Sequence, residues 1–176
     1  MLAYLFVVLA VAVRFMPHPW HFTPVAASLL FFGAYRSRRE LWFPVTLLAA
    51  SDVLLNRFIY HYPFTWDLVV TWAWYAAALG LGSGLRGRIK PLWIMGSAAA
   101  TSVSFYLLSN FAVWAAYDMY PKTWSGLITC YAMAIPFFRG GTLVGDLVFT
   151  AVLFAVPVAM KQFSERESHH HGTAAA

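Results

Sequence analysis

Four polar side chains interrupt otherwise apolar stretches of this chain: Asp52, Asn56, Asn110 and Asp146. Carboxyl and amide groups are costly in an apolar environment, so they face a bundle interior or a water-filled cavity when they occur in such stretches. Asp52 and Asn56 are four residues apart and share one face of a helix. Two carboxylates and two amides can hold a polar solute by charge and hydrogen bonds. Two plainer readings stand beside this one. Asp52 and Asp146 can form structural ion pairs with Arg57 and Arg139. Asp146 can also sit against the positive end of a helix dipole.

The elements that position these groups follow from the composition. Of 176 residues, 61% are hydrophobic and only 11% are charged, with a mean hydropathy of +0.64. Soluble domains carry about 25% charged residues, so this chain could not coat its own surface in water. Apolar runs cover residues 2–16, 22–35, 41–59, 68–85, 91–117 and 142–160. A helix needs roughly 20 apolar residues to cross a bilayer, with about 17 as a lower limit. The expected fold is therefore an all-α integral membrane bundle of six transmembrane helices, although the first two runs are short. Pro24 near the start of the second run marks a helix entry. Residues 10–12 imitate a signal-peptide cleavage site, but no positive segment precedes them, and the first run is read as a retained helix. The runs AAALGLGSG and GSAAATS are rich in small residues, which let helix backbones approach closely in lipid.

Charge sets the expected orientation. With the N-terminus inside, the inner segments hold Arg36, Arg38, Arg39, Arg86, Arg88, Lys90, Lys161 and Arg166. The outer ones hold Arg14, Arg57, Lys122 and Arg139. Basic residues concentrate on the cytoplasmic side, so both termini are expected there. This distribution also explains the net charge of +5 without invoking nucleic acid. Residues 123–138 are apolar enough for a seventh span. Counting them as one weakens the charge bias and leaves only Gly140-Gly141 as a connection, so a re-entrant or interfacial helix before the last span is preferred. Residues 1–161 form one domain, and the polar tail 162–176 is expected to be disordered.

In this topology Asp52, Asn56, Asn110 and Asp146 converge near the outer face. His18, Trp20, His21, Tyr60, His61, Tyr62, Trp66, Tyr117, Tyr120 and Trp124 lie on the same side. Most of these aromatics are read as an interfacial anchoring belt. The expected ligand-binding residues are Asp52, Asn56, Asn110, Trp114 and Asp146, with Tyr120 and Arg139 as lid contacts. The lid is the segment 123–141, which follows Tyr120-Pro121 and is punctuated by Pro136 and the two glycines. A fixed interfacial helix is the competing reading of that segment.

Several chemistries find no signature. The chain lacks a GxxxxGK[ST] phosphate loop, an HExxH or paired-cysteine metal motif, and a persuasive Ser-His-Asp set, so no catalytic residue, metal or cofactor is expected. His18 and His21 have ligand-like spacing without an evident third ligand, and the three tail histidines read as solvated. Cys130, the only cysteine, excludes an intramolecular disulfide and reads as a small buried hydrophobe.

The segments HFTPVAASLLFFGAYRSR, LLAASDVLLNRFIY, LSNFAVWAAYDMYPKTWSGLITCYAMAIPFF and GTLVGDLVFT resemble an uncharacterised family of bacterial putative transport proteins. That family is similar to the substrate-binding S components of energy-coupling factor vitamin transporters. The resemblance covers residues 17–155, and Pro136-Phe137 and Gly145-Asp146 resemble a Pro-Phe turn and a Gly-Asp pair of S components. It implies six helices in the bacterial cytoplasmic membrane, both termini inside, and a vitamin-like ligand bound near the outer face. It also implies an energising module as partner. Here, however, Ala3, Ala10 and Ala12 replace the Ala-xxx-Ala docking pattern of helix one. Solitary action thus stays open, as does the alternative of a non-transporting accessory subunit in a larger membrane complex.

Overall fold

The computed structural model describes residues 1–16, 23–61 and 64–173. The described elements are all helical. They run α1 (Leu2–Arg14), α2 (Val25–Tyr35), α3 (Trp42–Leu54), α4 (Asp67–Gly84), α5 (Pro91–Ala116), α6 (Trp124–Phe137) and α7 (Val144–Thr173). A π-helical turn, Leu55–Tyr60, extends α3, and another, Phe138–Leu143, joins α6 to α7. The result among the described residues is six helical rods. Three of them are long and apolar enough to cross a membrane: Arg38–Tyr60, Pro91–Ala116 and Trp124–Gln162. Together with the exposed Leu, Val, Trp and Phe side chains on their outer faces, these mark the chain as a membrane protein.

The shortest rod organises the rest. Every residue of α2 from Val25 to Ala34 is buried, and α2 packs against α1, α4, α5 and α7. A helix exposed to water or lipid on one side would show an amphipathic or small-residue stripe; α2 is apolar all round because it has no outer side. Its closest neighbour is α4. A Cβ on Gly33 would collide with the Leu79 carbonyl oxygen, and one on Gly82 with that of Leu30. The two backbones touch there, and only glycine permits the crossing.

One end of the bundle is basic and held by a polar cluster. Arg86 on the α4–α5 connection donates through Nε to the Gly33 carbonyl at 3.0 Å and through Nη2 to that of Arg36. It thereby satisfies two of the carbonyls that the C-terminus of α2 leaves free. Glu40 accepts from Tyr4, from Arg36 at 2.8 Å and from the Ser37 hydroxyl at 2.6 Å, tying α1 to the turn before α3. At the start of α5, Pro91 occupies the first turn, where its missing N–H costs nothing.

The segment read as a separate re-entrant or interfacial helix before the last span is continuous with the helix that follows it. Trp124–Gln162 is one continuous helical rod of 39 residues. Pro136 removes one N–H, but the π turn immediately after it absorbs the misfit, so the chain does not fold back at Gly140-Gly141. α6 instead forms a hairpin with the end of α5. Tyr131 donates to the Leu107 carbonyl and Tyr106 to that of Tyr131, at 2.8 and 2.7 Å. α7 carries on beyond Met160 to Thr173, into the polar tail.

Candidate functional site

At about 1.5 Å per residue, the 11 residues of α2 reach only about half of a roughly 30 Å hydrocarbon core. The longer helices around it rise past its N-terminus and enclose a cavity of about 780 Å³. Val25 and Ala26 line it from α2, and Thr23 from just before that helix. The walls come from Arg14 on α1, from Asp52, Asn56 and Tyr60 on the α3 rod, from Thr71, Trp74 and Tyr75 on α4, from Phe105 on α5, and from Thr142 and Asp146 on the last rod. Both π-helical turns border it, one through Leu55, Asn56, Ile59 and Tyr60, the other through Thr142. An inserted residue in a helix re-aims its neighbours, and such turns concentrate at functional sites.

Asp52 is the polar hub of one wall. Its side chain is 6% exposed and pairs with Arg14. Trp72 Nε1 donates to the second carboxylate oxygen at 3.0 Å, and the Tyr75 hydroxyl lies 3.4 Å from the first. Arg14 also donates to Ser51 Oγ at 2.6 Å. This network joins α1, α3 and α4 through a carboxylate whose charge and lone pairs are largely met. The partner is therefore Arg14 and not Arg57, which is exposed. Arg14 was legible in principle, because it continues the buried stripe Ala3, Val7, Ala10 at spacings of four and three. Trp72 and Tyr75 carried a signal too: they lie well inside α4, where an indole N–H and a phenol O–H need partners.

Asp146 lies on another wall, 5% exposed. Ser102 of α5 donates to its Oδ2 at 2.6 Å. Among the described residues no cation pairs with it, and Arg139 is exposed. One turn further along α7, Thr150 is fully buried, and its hydroxyl finds no partner among the described residues.

Three of the seven sequence-predicted residues, Asp52, Asn56 and Asp146, thus line one cavity. The other four do not. Asn110 faces its own helix and α6: its amide donates to the Tyr106 carbonyl at 2.8 Å, and its carbonyl lies 3.5 Å from Cys130 Sγ. Trp114, in the last turn of α5, packs on the α5–α6 connection, with its Nε1 donating to the Pro121 carbonyl at 2.8 Å and Lys122 Nζ 5.8 Å from its ring centre. Tyr120 lies in the same connection and Arg139 in the π turn before α7, and neither borders the cavity. The proposed lid, 123–141, contributes no lining residue either, because it is stacked along α5. Cys130 is a free, buried thiol. His18, Trp20, His21 and Tyr62 of the expected aromatic rim lie outside the described residues. Among the described residues, no group of His, Cys, Asp and Glu could hold a metal ion.

A family profile matches residues 1–168, almost the whole chain. The chain belongs to DUF6580, a family of unknown function. No curated protein and no solved structure is significantly similar to this DUF6580 member.

Proposed function

We propose that this protein binds a small organic solute inside the membrane and takes part in its uptake, as an S component does. The supporting observation is the cavity above α2. Its roughly 780 Å³ falls within the 300–1,000 Å³ or so of typical small-molecule sites, and its apolar walls carry a few convergent polar groups, as such sites do. A pure packing defect in lipid would be apolar; this one carries Arg14, Asp52, Asn56 and Asp146. In this reading the protein has six spans in a bacterial cytoplasmic membrane. The basic end with Arg36, Arg38, Arg39, Arg86 and Arg88 faces the cytoplasm, both termini are inside, and the cavity opens outward.

A second reading is favoured by the last rod. Its 39 residues extend about 58 Å, nearly twice the hydrocarbon thickness, and tilt alone does not absorb that excess. Trp124, Ile128 and Met133 on α6 are 82%, 66% and 60% exposed. An accessory subunit of a larger membrane complex would cover that apolar hairpin with a partner chain, and an energising module is one such partner.

Native mass spectrometry of the gently purified protein separates the two readings. Solute binding predicts a small-molecule adduct on the monomer. A ligand-free protein that co-purifies with partner subunits would overturn it in favour of the accessory role.

A further inference from the structure

Among the described residues, the charges around the cavity do not balance. Arg14 and Asp52 neutralise each other across one wall. That leaves Asp146, 5% exposed, with a single hydroxyl donor in Ser102 and no cation among the described residues. Its Oδ2 is engaged by Ser102, whereas no described residue donates to Oδ1. A buried carboxylate without a partner is strongly disfavoured, so the site either keeps it neutral or brings a positive charge to it. The cavity supplies room for that charge and a suitable lining. Trp74, Tyr75 and Phe105 border it with Asp146, and the faces of aromatic rings attract cations once water is displaced.

Resting on the reading that the cavity is a solute site, we propose that its ligand is an organic cation whose positively charged nitrogen seats against Asp146 while its body lies among the aromatic side chains. A bare metal ion is a poor match. The space is far larger than an ion needs, and among the described residues no group of His, Cys, Asp and Glu comes together to hold one.

Three probes of one size and shape test the charge: benzamidinium, benzamide and benzoate, each titrated into the full-length protein in detergent micelles. Thermal unfolding is followed by tryptophan fluorescence. Benzamidinium is expected to raise the midpoint saturably, with an apparent Kd at least ~tenfold tighter than benzamide, and benzoate to have no effect. Asp146→Asn should abolish the difference between benzamidinium and benzamide. Should that variant fail to fold, the ranking of the three probes on the wild type still decides. Stabilisation by benzamide or benzoate equal to that by benzamidinium overturns the cationic ligand while leaving a solute site in place. No saturable shift with any probe also overturns it, and the solute-binding reading is then judged separately by the adduct on the native protein. Saturable stabilisation by NaCl over KCl that Asp146→Asn removes would overturn it in favour of an inorganic ion.

Discussion

Arg14, the last residue of the first helix, pairs with Asp52 of the third, 38 residues later. The pair is mostly buried, with side-chain exposures of 17% and 6%, and it closes one wall of the cavity. Because α1 makes few other contacts with α3, this link does much to set their relative position.

Removing either partner should therefore be expensive. Arg14→Ala or Asp52→Asn is expected to destabilise the detergent-solubilised protein by about 3–5 kcal/mol, since each leaves a buried group uncompensated. Replacing both, as Arg14→Met with Asp52→Leu, should cost less than the sum of the single changes. Arg57→Ala should stay within about 0.5 kcal/mol. Thermal unfolding of the four variants checks the set, and a larger loss from Arg57 than from Arg14 would reassign the partner.

The contact between α2 and α4 gives a second expectation. Gly33→Ala and Gly82→Ala each push a methyl into a facing backbone carbonyl, and should lower stability by about 1–3 kcal/mol or more. Gly80→Ala, on the same helix as Gly82 but with open space around it, should be neutral or gain up to about 1 kcal/mol. Equal effects at Gly80 and Gly82 would show that helix propensity, and not the crossing, governs this site.

The shared face of Asp52 and Asn56 was legible in the sequence, but which neighbour a face meets was not. Asp52, Asn56 and Asn110 were placed at one level by counting residues along helices. Asp52 and Asn56 also share a face through their spacing of four, and both line the cavity. Asn110 does not line it, because the far half of α5 is paired with α6; its amide donates within α5, to the Tyr106 carbonyl. A single helix period cannot say which neighbour a face will meet. The same limit gave Asp52 a sequence-near arginine when the actual partner came from another rod. Pro136 and Gly140-Gly141 read as breakers because proline and glycine usually end helices; the π turn that lets one rod pass through them has no such simple signature. The burial of α2 was partly visible: the run 22–35 is short for a span and apolar on every side, as a helix surrounded by others is.

Orientation can be tested at the two ends. Cysteines placed singly at Arg39 and Phe64, both exposed positions, in a Cys130→Ala background, should react with an impermeant thiol reagent from opposite sides of the membrane. Arg39 is expected to label only from the cytoplasm and Phe64 only from outside. Labelling of both from one side would contradict the six-span arrangement.

The central claim is that the cavity above α2 holds a solute. Thr71 lines that cavity from α4, and Thr71→Trp would push a bulky indole ring into it while leaving Arg14, Asp52 and Asp146 unsubstituted. Wild type and variant, purified side by side and shown to unfold at similar temperatures, are denatured and their small-molecule extracts compared by mass spectrometry. The account predicts a compound recovered from the wild type in near-stoichiometric amount and lost from Thr71→Trp. Identical extracts from the two proteins, with nothing enriched over empty micelles, would contradict it.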